Sequence, residues 1–245
     1  MKSTKLNSIL FLGDSFTWGQ GLHYYHLIEN EGWDWEKCSN FFESHERFET
    51  LGYEADEYRR INSFPNLVCK ELNCRAIVPQ QENGGDNDRI IDILEQINLC
   101  VTRNLIDCII VQFSNPSRIH DTERYKQFSN VDEILISHIE RINYLSKELN
   151  PEGEIPWFGF TWTREVGMIL ETHYKENYIP IQHDNKEWNH FNVEPGAPTS
   201  FQKLIIAGNK KIKDYHPNVE GHKVIKNSII NKLTRVRPPF ELIGN

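Results

Sequence analysis

Two short stretches at opposite ends of the chain hold the residue types that could do chemistry together. Near the start, Leu12-Gly13-Asp14-Ser15-Phe16-Thr17-Trp18-Gly19 follows the apolar run Ser8–Leu12, which reads as a buried strand. Gly13 and Gly19 bracket Ser15 where that strand must turn, and the carboxyl edge of an α/β sheet is where ligands bind. A serine hydroxyl is a weak nucleophile at neutral pH and needs a base within hydrogen-bond reach. Asp214-Tyr215-His216-Pro217, near the other end, offers one: His216 has the pKa range to take and return a proton. Asp214 could hold the imidazole tautomer and stabilise the imidazolium. On this stretch alone a second reading stands, in which Asp14 or Ser15 simply caps the next helix. His222 competes with His216 for the role of base, but it falls just inside the expected last helix, where side chains serve packing or capping.

A nucleophilic serine also needs donors for the charge that develops on the acyl oxygen. Two further segments supply candidates. Gln80 to Asp88 is a polar loop containing Gly84-Gly85 and running into a helix; such a loop presents free backbone N–H groups, or is simply a tight turn. Asn115 follows the strongest strand signal in the chain, Cys108–Phe113, and its amide could point into the same edge as Ser15; an Asn-Pro turn is the competing reading. Arg118 and Arg164 follow strands ending at this edge, where each could meet an anionic group or a surface acid.

The elements that must position these residues alternate. Strands are expected near 6–12, 75–78, 108–113, 157–160 and 201–206, with helices starting near Ser63, carrying Ile90, Leu94, Ile97, Val101 and Leu105 on one face, running over about 131–149, and closing the chain over 218–233. That order implies right-handed crossovers and a parallel sheet with helices on both faces. Residues 20–60 and 165–200 read as insertions beside the cleft, within one domain spanning 1–245.

Composition narrows the partners. A formal net charge of -8 without a basic stripe argues against nucleic acid and anionic membranes. The apolar run after the first lysines is too short for a signal-peptide core or membrane span, which suggests a cytoplasmic protein. Five cysteines without a framework spacing read as free thiols. His23 and His26 stand three apart, but without a third ligand nearby no metal site is expected. The glycine loops lack the Lys-Ser/Thr of a phosphate-binding NTPase loop.

The order of Gly13-Asp14-Ser15, Gly85, Asn115 and Asp214 with His216-Pro217 resembles the SGNH hydrolases, the GDSL-type esterases and lipases. The resemblance spans residue 8 to about 230 and omits the two insertions. It departs in two places: Phe113 and Pro116 stand where the family has Gly and Asp around the third-block Asn, and the last-block acid is two residues before the histidine rather than three. It implies a flavodoxin-like three-layer α/β/α sandwich and a serine esterase. Ser15, Asp214 and His216 would be its triad, with Ser15 N–H, Gly85 N–H and the Asn115 amide as its oxyanion hole. No cofactor or metal is implied, and a small-molecule or glycan ester, such as an acetylated carbohydrate, would be its substrate. A catalytically inactive binding module on the same fold, or an acyltransferase using the same residues, are the alternatives.

Overall fold

The computed structural model describes residues 6–44, 46–79, 86–99, 105–115, 130–149, 155–184, 186–187 and 216–236. Four short runs pair as a parallel sheet: β1 Ser8–Leu12, β2 Arg75–Ile77, β3 Cys108–Phe113 and β4 Trp157–Thr161, in the order β2-β1-β3-β4. β1, β3 and β4 are buried along their whole length, and β2 at the edge is not. Burial on both faces is why these runs are continuously apolar rather than alternating. On the outer side of β4, the segment around Tyr178 adds one parallel bridge to Gly159. The expected strand at 201–206 lies outside the described residues.

Side-chain alternation along each strand splits the core into two layers. Ile9 and Phe11 of β1, Cys108 and Ile110 of β3, and Phe158 and Phe160 of β4 face α5 (Phe64–Leu72) and the last helix, which runs over Val219–Val236. Leu10, Leu12, Ile109, Val111 and Trp157 face α6 (Asn87–Leu99), α7 (Val131–Glu148) and α8 (Arg164–His173). The result is the expected three-layer α/β/α arrangement. Two findings adjust the expected elements. α6 ends at Leu99, which is 89% exposed, and Leu105 is 54% exposed, so Leu105 does not share the buried face of Ile90 and Leu94. α8 follows β4 almost directly and buries Val166 and Leu170 in the second layer, so the range 165–200 opens with a helix of the main framework.

Between β1 and α5 the chain makes α1 (Ser15–Trp18), α2 (His23–Asn30), α3 (Trp35–Glu43), a 3-10 turn at Phe48–Leu51 and α4 (Tyr53–Asn62). These helices enclose a separate apolar cluster of Trp18, Tyr24, Leu27, Cys38, Phe41 and Phe48. A small hairpin pairs β5 (Gln182–His183) with β6 (Lys186–Glu187), and the final helix is α9. Among the described residues no helix is long and apolar enough to cross a membrane.

The strand order decides where a site can form. The chain leaves β1 toward β2 and leaves β3 toward β4, in opposite directions. The loops after these adjacent strands therefore diverge and leave a crevice at their carboxyl ends. Ser15 follows β1 and Asn115 follows β3.

Candidate active site

The turn that presents Ser15 is shaped by its neighbours. At Gly13 a Cβ would lie 2.1 Å from Thr17 Oγ1 and 2.9 Å from Gln112 Cβ, so a side chain there would push α1 off β3. Asp14 is the N-cap: its carboxylate accepts from the Phe16 N–H at 2.9 Å. The capping reading thus belongs to Asp14, and Ser15, as the first helical residue, keeps its hydroxyl for another partner. The Ser15 N–H, one of the donors a helix start leaves unpaired, makes no hydrogen bond among the described residues. At the other end of α1 the buried Arg59 donates to the Trp18 carbonyl at 2.5 Å and lies over the Trp18 ring at 4.1 Å.

That partner is His216. Its Nε2 lies 2.7 Å from Ser15 Oγ, across 201 residues of sequence. Ser15 is 5% exposed and His216 is half-buried, so the pair sits at the rim rather than in the core. A base at this position requires the tautomer with its proton on Nδ1, leaving Nε2 to accept. The imidazole also packs on Phe16, with centroids 4.6 Å apart, and Phe16 packs in turn on Trp162 at 5.3 Å. An alcohol and an imidazole in this contact can exchange a proton as the oxygen attacks an electrophilic carbon.

The other expected residues divide. Asn115 is exposed at the end of β3; because Leu12 pairs with Val111, it reaches the same sheet edge as Ser15. Gly85, Asp214 and Arg118 lie outside the described residues. Asp86, next to Gly85, is buried and accepts from the Arg89 N–H at 2.7 Å, so the glycine loop leads into the start of α6. Arg164 is exposed at the first position of α8. His222 does not approach Ser15. It is fully buried in α9, where its Nδ1 accepts the Phe64 N–H at 3.1 Å, at the start of α5, and its ring stacks on Phe64. Burial first, then repulsion from His216 and Arg59, pushes its pKa down to about 3.

His23 and His26 do not form a metal pair. The His23 ring is buried between Trp18 and Phe48, and burial lowers its pKa to about 4 despite Asp56 at 3.7 Å. Among the described residues no cluster of three His, Cys, Asp or Glu could hold a metal ion. His138 is buried, with Nε2 3.2 Å from Asp88, and joins α7 to α6. A groove of about 480 Å³ opens beside Trp18, Arg59, Ser63 and Val78 but is not lined by Ser15 or His216.

Sequence reasoning missed three contributors. Phe16 and Trp162 form an aromatic wall beside the imidazole; they follow β1 and β4 at the rim, which was the available signal. Asn87 grips the backbone just before Asn115: its Oδ1 accepts the Ser114 N–H at 2.9 Å and its Nδ2 donates to the Ser114 carbonyl at 3.2 Å. The bulky Phe113 is accommodated by β4. A Cβ at Gly159 would meet the Phe113 ring at 2.5 Å, so the missing side chain on one strand makes room for the large one on the next.

Neither a protein-family model nor a curated protein matches the chain. Solved structures do resemble it. A carbohydrate esterase whose active site is described as having divergent catalytic and non-catalytic binding functions superimposes with a TM-score of 0.52 at 12% identity, covering 96% of this chain and 70% of its own. A member of the lipolytic G-D-S-L family from Veillonella parvula gives 0.49 at 13%, covering 93% and 98%. An acetyl-xylooligosaccharide esterase from Geobacillus, as a mutant, gives 0.45 at 14%, covering the whole of both chains. Parallel sheet and helical layers agree with the first of these likenesses: this chain has the three-layer α/β/α fold that the carbohydrate esterase shares.

Proposed function

We propose that this protein is a serine ester hydrolase working through an acyl-serine intermediate, with acylated, including acetylated, carbohydrate as its substrate. The observation that carries the reading is the 2.7 Å contact between Ser15 Oγ and His216 Nε2. As Oγ bonds to the acyl carbon, its proton passes to Nε2 and the carbonyl electrons move onto the oxygen. The Ser15 N–H, the Gly85 N–H and the Asn115 amide stabilise that oxyanion. Collapse of the intermediate breaks the bond to the alcohol, which leaves with the proton from His216. Water then repeats the sequence on the acyl-serine, with His216 again as base. Asp214 accepts a hydrogen bond from the N–H of the other ring nitrogen and stabilises the imidazolium. Nucleophile, base and donors all come from the chain, so this chemistry calls for no metal or cofactor. The carbohydrate part of the reading is supported by the kinship of fold and by the aromatic residues around the rim.

The test is a panel of aryl, acyl-glycerol and acetylated-sugar esters with the parent protein and Ser15→Ala, together with fluorophosphonate labelling and mapping of the adduct. Turnover that disappears in Ser15→Ala, with label on Ser15, is the expected result. A folded parent that neither labels at Ser15 nor cleaves any ester, yet binds a saccharide saturably, would replace the enzyme with a binding module. Added sugar acceptors diverting product from free acid to new ester would assign acyl transfer.

A further inference from the structure

We propose that Gln112 is the positioning residue for Ser15, an assignment that rests on the hydrolase reading of the site. Gln112 is the polar residue next to the carboxyl end of an otherwise apolar central strand, β3, and it is fully buried. A primary amide in such a place is costly unless its heteroatoms are bonded. Both are. Its Nε2 donates to Asp14 Oδ1 at 2.7 Å, and its Oε1 accepts from Thr17 Oγ1 at 2.7 Å. The orientation follows from chemistry, because an ionised carboxylate only accepts and so must face the NH₂ end.

The two residues it holds flank Ser15 at the preceding position and two positions on. The helix that Asp14 caps and Thr17 belongs to has four residues, Ser15–Trp18, too few to hold its own direction. Its direction must therefore be imposed from outside. Gln112 does this from β3, where it is paired with Phe160 of β4 and stands one residue past the last pair with β1, Leu12 with Val111. The same contact explains Gly13: a Cβ there would lie 3.0 Å from Gln112 Oε1 as well as against Thr17. Asp14 is further held by the Ser114 hydroxyl, which donates to its Oδ2 at 3.3 Å, so the end of β3 that precedes Asn115 is tied to the same cap. The side-chain hydrogen bonds of Gln112 go to Asp14 and Thr17, not to the nucleophile or the base. Gln112 acts through the residues on either side of Ser15, and its loss should show in kcat rather than in KM.

Gln112→Leu removes both bonds and Thr17→Val only the one to Thr17, each with little change of volume, and Thr17→Ser restores the hydroxyl. Steady-state kinetics on an aryl acetate, thermal unfolding and crystal structures of the variants are the measurements. Gln112→Leu and Thr17→Val are expected to lower kcat about 10- to 100-fold with KM within about twofold of the parent. In their crystals the contact between Ser15 Oγ and His216 Nε2 should be lost, whereas Thr17→Ser should keep both contact and kcat. Should Gln112→Leu fail to fold, the Thr17 pair decides alone. Parental kcat in Thr17→Val, or an unchanged Ser15–His216 contact in its crystal, overturns the proposal. If the parent shows no Ser15-dependent turnover, the hydrolase reading fails by itself, and the crystallographic contact still decides whether this link positions Ser15.

Discussion

Two histidines six residues apart, His216 and His222, meet opposite surroundings. His216 stands at the rim, half-buried, with one ring nitrogen on an alcohol and one ring face on Phe16. His222, in the first turn of α9, is sealed between α9 and α5 and spends its acceptor nitrogen on the Phe64 N–H. The difference teaches what would separate a proton-carrying base, the role proposed for His216, from a structural imidazole. A base must be able to hold charge at working pH, which needs solvent or a counter-charge; an imidazole deprived of both stays neutral, with one acceptor and one donor nitrogen. His222 behaves as a neutral cap for a helix whose own N-cap, Ser63, accepts no backbone N–H of the first turn with its side chain.

The contrast is broken most sharply by removing each ring in turn. His216→Ala is expected to lower kcat by on the order of 10⁴- to 10⁶-fold while the thermal midpoint stays close to the parent. His222→Gln should do the reverse, lowering the midpoint while fluorophosphonate still labels Ser15. Equal losses of kcat in both variants would erase the distinction. At the same rim, Asn115→Ala should cost about 100- to 1000-fold in kcat, the scale of one oxyanion donor, and a turnover number within a factor of three of the parent would remove Asn115 from that role.

Acid sharpens the comparison from the other side. The pKa of His222 in the folded state lies below its ordinary value, so the unfolded chain binds the proton first. Its contribution to stability is complete above about pH 6.5 and is lost as pH falls toward 3, at about 1.4 kcal/mol per pH unit. His23, with its pKa lowered to about 4, adds a second slope of the same sign over the upper part of that window. Urea melts of the parent and His222→Gln between pH 6.5 and 4 measure the difference, which should be about one such slope; parallel curves would deny His222 its buried neutral state. The smallest effect is expected from Phe16→Ala. Loss of ring packing on His216 should lower kcat by about 3- to 10-fold, the scale of one aromatic contact, and an unchanged rate would leave the stack without a part in orienting the imidazole.

The family pattern has a glycine where β3 ends in Phe113. The sheet answers this locally: Gly159, on β4 two residues before Phe113's partner Thr161, leaves room for the ring, which packs edge-on against Trp157. The departure therefore changes how the strand packs and leaves the strand end that carries Asn115 on the same edge as Ser15.

Short-range information settled much of this protein in advance. Continuous apolar runs specify buried parallel strands, and the Gly-Asp-Ser turn at the end of the first specifies where a side chain is offered to a ligand, because backbone geometry and burial on two faces are written in neighbouring residues. Which histidine meets Ser15 was not settled by such information, since both candidates lie about 200 residues away and differ only in what folds over them. Nor could it show that Asp14 alone takes the cap, that Leu105 leaves the helical stripe, or that one buried amide in β3 joins two residues at the other side of the crevice. Those outcomes depend on register between strands and on desolvation, and each is created only when distant segments pack and exclude water from between them.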